Sequence, residues 1–318
     1  MFSVKSKEEN GFDLVVLNDN VTGVEVEVIP ACGGILHAFK IPHNNDLLNI
    51  VEQYNSKKEF DESAEAKGFK SCKLSPFVCR LKDGKYHFGD NEYTIEKFYL
   101  GKHALHGLIY DVSYDIVQST ANAEAASVEL LCSYKATDKG FPFKYDCRLL
   151  YELKKDASLT ITTFIKNHEN NAIPIADGWH PYFTFGNKVD DLLLSFQSKE
   201  MLEFDADLIP TKKKVPYTKF KTLQPVGDIT MDNGFTVDFE SEGPLLVLRD
   251  EHKKLQVEIN PDKSYPILQL YIPDHRQSIA IENLSAAPDA FNNGIGLINL
   301  QAGGEAVFRT TYSVKAIG

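Results

Sequence analysis

No CxxC pair occurs among the five cysteines of this 318-residue chain, Cys32, Cys72, Cys79, Cys132 and Cys147. A zinc ribbon and a redox dithiol are therefore both unsupported, and buried free thiols in a reducing compartment are expected. Basic residues are the minority, 34 against 45 acidic, for a net charge of -11. That excludes the basic footprint a nucleic-acid partner requires. Long apolar runs are missing as well. The opening MFSVKSKEENGFDLVVLNDN carries neither a signal peptide nor a membrane anchor, so a cytoplasmic protein without a membrane partner is expected. There is no long helical period, no repeat of short fixed period and no low-complexity linker.

What the chain has is period-two patterning. Val24–Ile29 reads VEVEVI, a strict alternation. Ser127–Tyr134 and Phe143–Leu153 alternate again, and the polar run Lys154–Ser158 leads into the β-branched LTITTFI at Leu159–Ile165, which predicts a hairpin. Further strands are predicted over Leu245–Leu248, Leu255–Ile259, Ile267–Ile272, Ile279–Ile281 and Ala306–Val314. The only helical signal lies at Phe60–Lys67. Strands without helices between them disfavour a parallel α/β fold. The expected architecture is all-β: one large antiparallel β-sandwich with little helix, spanning residues 1–318 as a single domain.

Four segments place titratable residues inside apolar β-like sequence. Ser75-Pro76-Phe77-Val78-Cys79-Arg80 ends on an Arg, which alone reads as a strand end reaching water. Leu105-His106-Gly107 puts a His where backbone can approach a ligand, with His103 competing. Asp177-Gly178-Trp179-His180-Pro181-Tyr182-Phe183 gathers the only Trp, a His and two more aromatics in a loop-like segment, suited equally to a sugar face and to a core corner. Ser278-Ile279-Ala280-Ile281-Glu282-Asn283 places Glu282 on the face of Ala280, either in solvent or in a pocket that raises its pKa.

Taken in order, these segments resemble the aldose 1-epimerase, or galactose mutarotase-like, family. Arg80 ends an early strand, His106-Gly107 follows, and His180 to Phe183 lies mid-chain. Met231-Asp232-Asn233-Gly234-Phe235 looks like the family's Asp-containing turn, and Glu282 precedes Pro288-Asp289-Ala290-Phe291-Asn292. The match runs from about residue 25 onward. The chain departs from the family pattern at Cys79 and at Gly178-Trp179, where Asn is frequent, and at Leu284, where Gln is frequent; the following Pro also falls six residues after the Glu rather than five. The resemblance implies a β-sandwich holding a monosaccharide in its concave face. It implies Glu282 as general base and His180 as general acid, with Arg80, His106, Asp232 and Tyr182 on the substrate. It implies no organic cofactor; no metal is expected, and the chain is expected to be a monomer or a homodimer.

Anomer interconversion opens the sugar ring and closes it on the other face, so one group must take a proton while another gives one. The acidic charge and the lack of an Arg cluster favour a free aldose over a sugar phosphate, whose binding would need cations such as Lys73, Lys82 or Lys102. The other readings are a non-catalytic sugar-binding protein, a glycoside hydrolase using Glu282 with Asp232 or Asp177, and a metal site of His106, His180 and Glu282.

Overall fold

The computed structural model describes residues 1–318. Its strands form six sheets, the three largest being two large antiparallel ones and a smaller one at the N-terminus. Nine strands make the first large sheet, running in space Asp115–Ala121, Ala125–Tyr134, Tyr145–Lys154, Ser158–Asn167, Glu305–Ala316, Leu255–Pro261, Leu246–Asp250, Leu193–Phe196 and Gln224–Pro225. The second has eight, with Pro210–Pro216 at one edge, then Ser198–Phe204, Asp232–Val237, Ile267–Tyr271 and Ile279–Leu284. The last of these pairs with the short strands Gly178–Trp179 and Tyr182–Phe183, and Lys73–Leu74 closes the other edge. Five strands between Phe2 and Asn49 form the N-terminal sheet.

The alternating sequences explain the layering. In Ala125–Tyr134 every second residue is buried, and Tyr145–Lys154 repeats the pattern in antiparallel register. Each strand thus turns one apolar face inward and one half-exposed face out. The hairpin predicted at residues 154–158 is present, with Lys154 paired to Ser158 and with Asp156 and Ala157 at positive φ in the turn. One cluster of 62 buried residues draws on the three largest sheets, including Leu17 and Val26, Leu130 and Leu149, and Leu270 and Ile281. Each fully buried Leu or Ile contributes roughly 1.5–3 kcal/mol by leaving water.

Two expectations shift at the edges. Val24–Ile29 is a strand, but Glu27 is buried and accepts a hydrogen bond from Lys40 Nζ at 2.6 Å. The outer face of the N-terminal sheet is covered by a second cluster that includes Phe12, Leu14, Ile35, Tyr54 and Phe60, so alternation in sequence does not become alternation in exposure there. The predicted helix begins earlier, at Lys57–Ser63. Ser56 Oγ accepts from the Glu59 amide, and the Glu59 carboxylate accepts from the Asn55 amide, a reciprocal cap that sets its start. The only other α-helix is the single turn Ala290–Asn293. No helix is long and apolar enough to cross a membrane. All five cysteines are buried free thiols.

Candidate active site

The strand Ile279–Leu284 is buried along its whole length between Ile267–Tyr271 on one side and the Gly178–Phe183 segment on the other. Gly178 pairs with Leu284 and Tyr182 pairs with Ala280, which sets the intervening His180 opposite Glu282. The expected loop at 177–183 is thus two short strands broken at His180-Pro181. The backbone of His180 is held on both sides: its N–H donates to Cys72 O at 3.1 Å and its carbonyl accepts from the Ser71 amide at 2.9 Å. On the far side Gln269 pairs with Glu282, and Asp232 with Tyr271. Asp232 opens a strand instead of sitting in a turn.

A tight corner supplies the rest. Arg80 pairs with Leu105, and the His106 amide donates to Cys79 O at 2.9 Å. Gly107 has φ +79, and a Cβ there would lie 2.3 Å from the Ser75 carbonyl oxygen. Only glycine lets the chain turn this closely after His106.

These elements converge on a cavity of about 200 Å3 lined by Arg80, His106, His180, Tyr182, Asp232 and Glu282. His180 Nε2 lies 3.4 Å from Glu282 Oε1. The His106 and His180 rings meet edge to face at 4.9 Å, and His180 and Tyr182 lie 5.0 Å apart. Gln269 Nε2 donates to Asp232 Oδ1 at 2.8 Å. His106 Nδ1, His180 Nδ1 and Gln269 Oε1 are buried without a partner in the protein, so the walls hold polar atoms that a polar ligand can satisfy.

Burial dominates the electrostatics. It pushes the Glu282 carboxyl well above its ordinary range, with the Asp232 charge adding to the shift and Cys79 and Arg80 opposing it. It raises the Asp232 carboxyl too, against Arg80 and Gln269. It lowers the His180 imidazole to about 4 and takes His106 well below its usual value. At 3.4 Å the Glu282–His180 pair is close enough to ionise mutually, yet loss of hydration on both sides favours a carboxylic acid beside a neutral imidazole.

Several residues weighed in the sequence lie elsewhere. Asp177 is fully buried beneath the site, bonded to Lys73 Nζ and to Tyr265 OH at 2.7 Å. It cannot serve as a second hydrolytic carboxylate, and Lys73 cannot reach a phosphate. Lys102 pairs on the surface with Asp207 at 2.7 Å, and Lys82 borders a separate hollow with Asp83 and His87. Trp179 packs against Tyr151, and Phe183 against Tyr312, both in the core. The cavity also includes Gln269, Tyr271, Phe69 and Phe204, which the sequence reading did not single out. A signal for Gln269 was present, an amide at the centre of the apolar strand ILQLY. A larger surface hollow of about 540 Å3, lined by Glu124, Lys154, Lys155 and their neighbours, has no hydrophobic lining.

The model of the family described as "Aldose 1-epimerase" matches residues 13–313. The chain belongs to that family. Membership makes it an isomerase of the aldose epimerase kind, and a sugar substrate is consistent with it. YihR of Escherichia coli strain K12, an uncharacterised protein, is 26% identical over 252 residues, covering 72% of this chain and 74% of YihR. A galactose mutarotase-like protein from Clostridium acetobutylicum superposes with a TM-score of 0.87 at 17% identity, covering 99% of each chain. Galactose 1-epimerase from Lactobacillus acidophilus NCFM gives 0.82 at 16% identity, covering 100% of this chain and 99% of the other. These likenesses show that the β-sandwich is the galactose mutarotase-like fold.

Proposed function

We propose that the protein interconverts the α and β anomers of a free aldose, with Glu282 as general base and His180 as general acid. The observation that carries this is the Glu282–His180 pair, 3.4 Å apart within one buried cavity. In the ring-opening step Glu282 takes the proton of the C1 hydroxyl while the bond from C1 to the ring oxygen breaks. His180 gives its proton to that oxygen, leaving the open-chain aldehyde. Rotation about the C1–C2 bond offers the other carbonyl face, and the reverse transfers close the ring. The pair holds one proton before and after opening; the proton count on the protein is unchanged and only its location moves. The neutral arrangement favoured by burial is the one reached in the open-chain state. Arg80 and the sugar hydroxyls work in the other direction, towards ionised Glu282.

Arg80, His106, Asp232 and Tyr182 are the proposed substrate contacts. A volume of about 200 Å3 is below the roughly 300–1,000 Å3 of pockets for drug-sized ligands, which suits a single sugar ring. Arg80 is the only Lys or Arg on the cavity wall, and it faces the carboxyl groups of Asp232 and Glu282. This supports a free sugar over a phosphorylated one. The test is anomerisation of a panel of free aldoses and their 6-phosphates, followed by polarimetry or NMR. Free aldoses are expected to equilibrate faster. Markedly greater activity on the phosphates would overturn the substrate class, and sugar binding without any anomerisation would overturn the enzyme reading.

A further inference from the structure

Cys79 stands on the cavity wall beside the proposed base, its Sγ 3.8 Å from Glu282 Oε2. One ligand atom from each of Cys79, His106 and Glu282 lies within 4.8 Å of the other two, and all three residues are buried. We propose that this trio binds a single thiophilic divalent cation such as Zn2+ or Cd2+, and that the cation inhibits the protein by occupying Glu282. The inhibitory half rests on the function proposed above; the binding half does not.

The donor set is the argument. A thiolate, an imidazole and a carboxylate are the ligand types a tetrahedral zinc takes. Bonds of about 2.3 Å to sulfur and 2.0 Å to oxygen at the tetrahedral angle place the two donors about 3.5 Å apart, and the Cys79–Glu282 separation is already 3.8 Å. His106 supplies the second, independent observation: it is 93% buried by its 7% exposure, and its Nδ1 has no partner in the protein. Charge balances as well. The cation with the Cys79 thiolate and Glu282 carboxylate sums to zero, leaving Asp232 to face Arg80, so the guanidinium does not repel the filled site. Binding displaces the thiol proton and, where Glu282 is protonated, its proton too, so up to two protons leave per cation. Water fills the fourth position. The metal is not a cofactor in this scheme, because the carboxylate it takes is the one the sugar needs.

The full chain, stripped with a chelator, is titrated with CdCl2 and with ZnCl2, following ultraviolet absorption and heat. One equivalent is expected to bind, with a cadmium–thiolate charge-transfer band that saturates at 1:1 and a heat that depends on buffer ionisation. C79S should lose the band. H106Q should keep a band with affinity weakened by at least about 10- to 100-fold, the loss seen when even an outer partner of a ligand is removed. An undiminished band in folded C79S, equal affinity in H106Q, or no stoichiometric binding by the wild-type chain would each overturn the site. Should C79S not fold, the wild-type stoichiometry and H106Q decide. Anomerisation unchanged at saturating Zn2+ would overturn the inhibition. A chain that binds the cation but anomerises no sugar would overturn the proposed function and leave the site standing.

Discussion

His180 and Glu282 are cross-strand neighbours. The register that pairs Gly178 with Leu284 and Tyr182 with Ala280 sets His180 against Glu282, and their side chains meet with Nε2 3.4 Å from Oε1. Residues directly opposed on antiparallel strands share a face and stand closest together. The acid and the base are thus spaced by the sheet and not by a mobile loop, and the backbone bonds of His180 to Ser71 and Cys72 fix its side of the pair.

Removing either member should slow catalysis more than it weakens binding. Glu282→Gln keeps the shape and a hydrogen-bonding group but removes the base, and His180→Asn removes the proton donor. Each is expected to lower kcat by roughly 100-fold or more, with a much smaller change in KM, since the lost interaction is made mainly in the transition state. The double variant should be little worse than the poorer single. Steady-state kinetics on folded variants check this; near wild-type kcat in E282Q moves the base elsewhere, with Asp232 the first candidate.

Much of this arrangement was legible in the chain. The alternation in Ala125–Tyr134 and Tyr145–Lys154 needs only residue order to read, and so does the shared face of Ala280 and Glu282. Which strand lies opposite is a long-range choice. Nothing local states that residues 178–182 return to residues 280–284, a separation closed only by packing. Glu27 shows the same limit, buried in a strand whose alternation reads as half-exposed and paired there with Lys40 and Lys7. Trp179 and Phe183 stayed ambiguous because an aromatic run reads alike whether its rings line a cavity or fill a core; the extended segment alternates, turning His180 and Tyr182 to the cavity and Trp179 and Phe183 inward.

The pH profile should report the burial of the pair. The working form carries one shared proton. A second proton enters as pH falls, onto a His180 whose imidazole is lowered to about 4, so the acid limb of kcat/KM should lie near 4 rather than near the ordinary histidine value of about 6.5. The shared proton leaves as pH rises, and since burial and Asp232 raise Glu282 well above its ordinary carboxyl value, activity should persist well above that value before the alkaline limb begins. An acid limb centred near 6.5 would show that His180 is solvated in the working enzyme and would remove the basis for a shared proton.

The last prediction concerns the ion pair beneath the site. Lys73 and Asp177 are both fully buried; Lys73 also donates to the Gly178 carbonyl at 3.0 Å and lies 4.5 Å from the Trp179 ring centroid. The pair therefore pins the segment that presents His180. Lys73→Met should cost about 3–5 kcal/mol of stability, because it strands the Asp177 carboxyl without its cation. Tyr265 still donates to Asp177, which favours the lower end. Burial already raises the Asp177 carboxyl against the pull of Lys73, and without Lys73 it should rise further. A group whose folded pKa is raised loses its contribution as pH climbs through that pKa, so K73M should unfold more readily in urea at pH 8 than at pH 5. K73M/D177N should recover most of the loss at pH 8, since the amide needs no counter-charge. The 62-residue core joins the three largest sheets, so residues 1–318 are expected to unfold in a single transition in the wild-type chain. K73M stability that does not change with pH would mean the stranded carboxyl has found water or another cation, and the pair would then not be what holds the His180 segment in place.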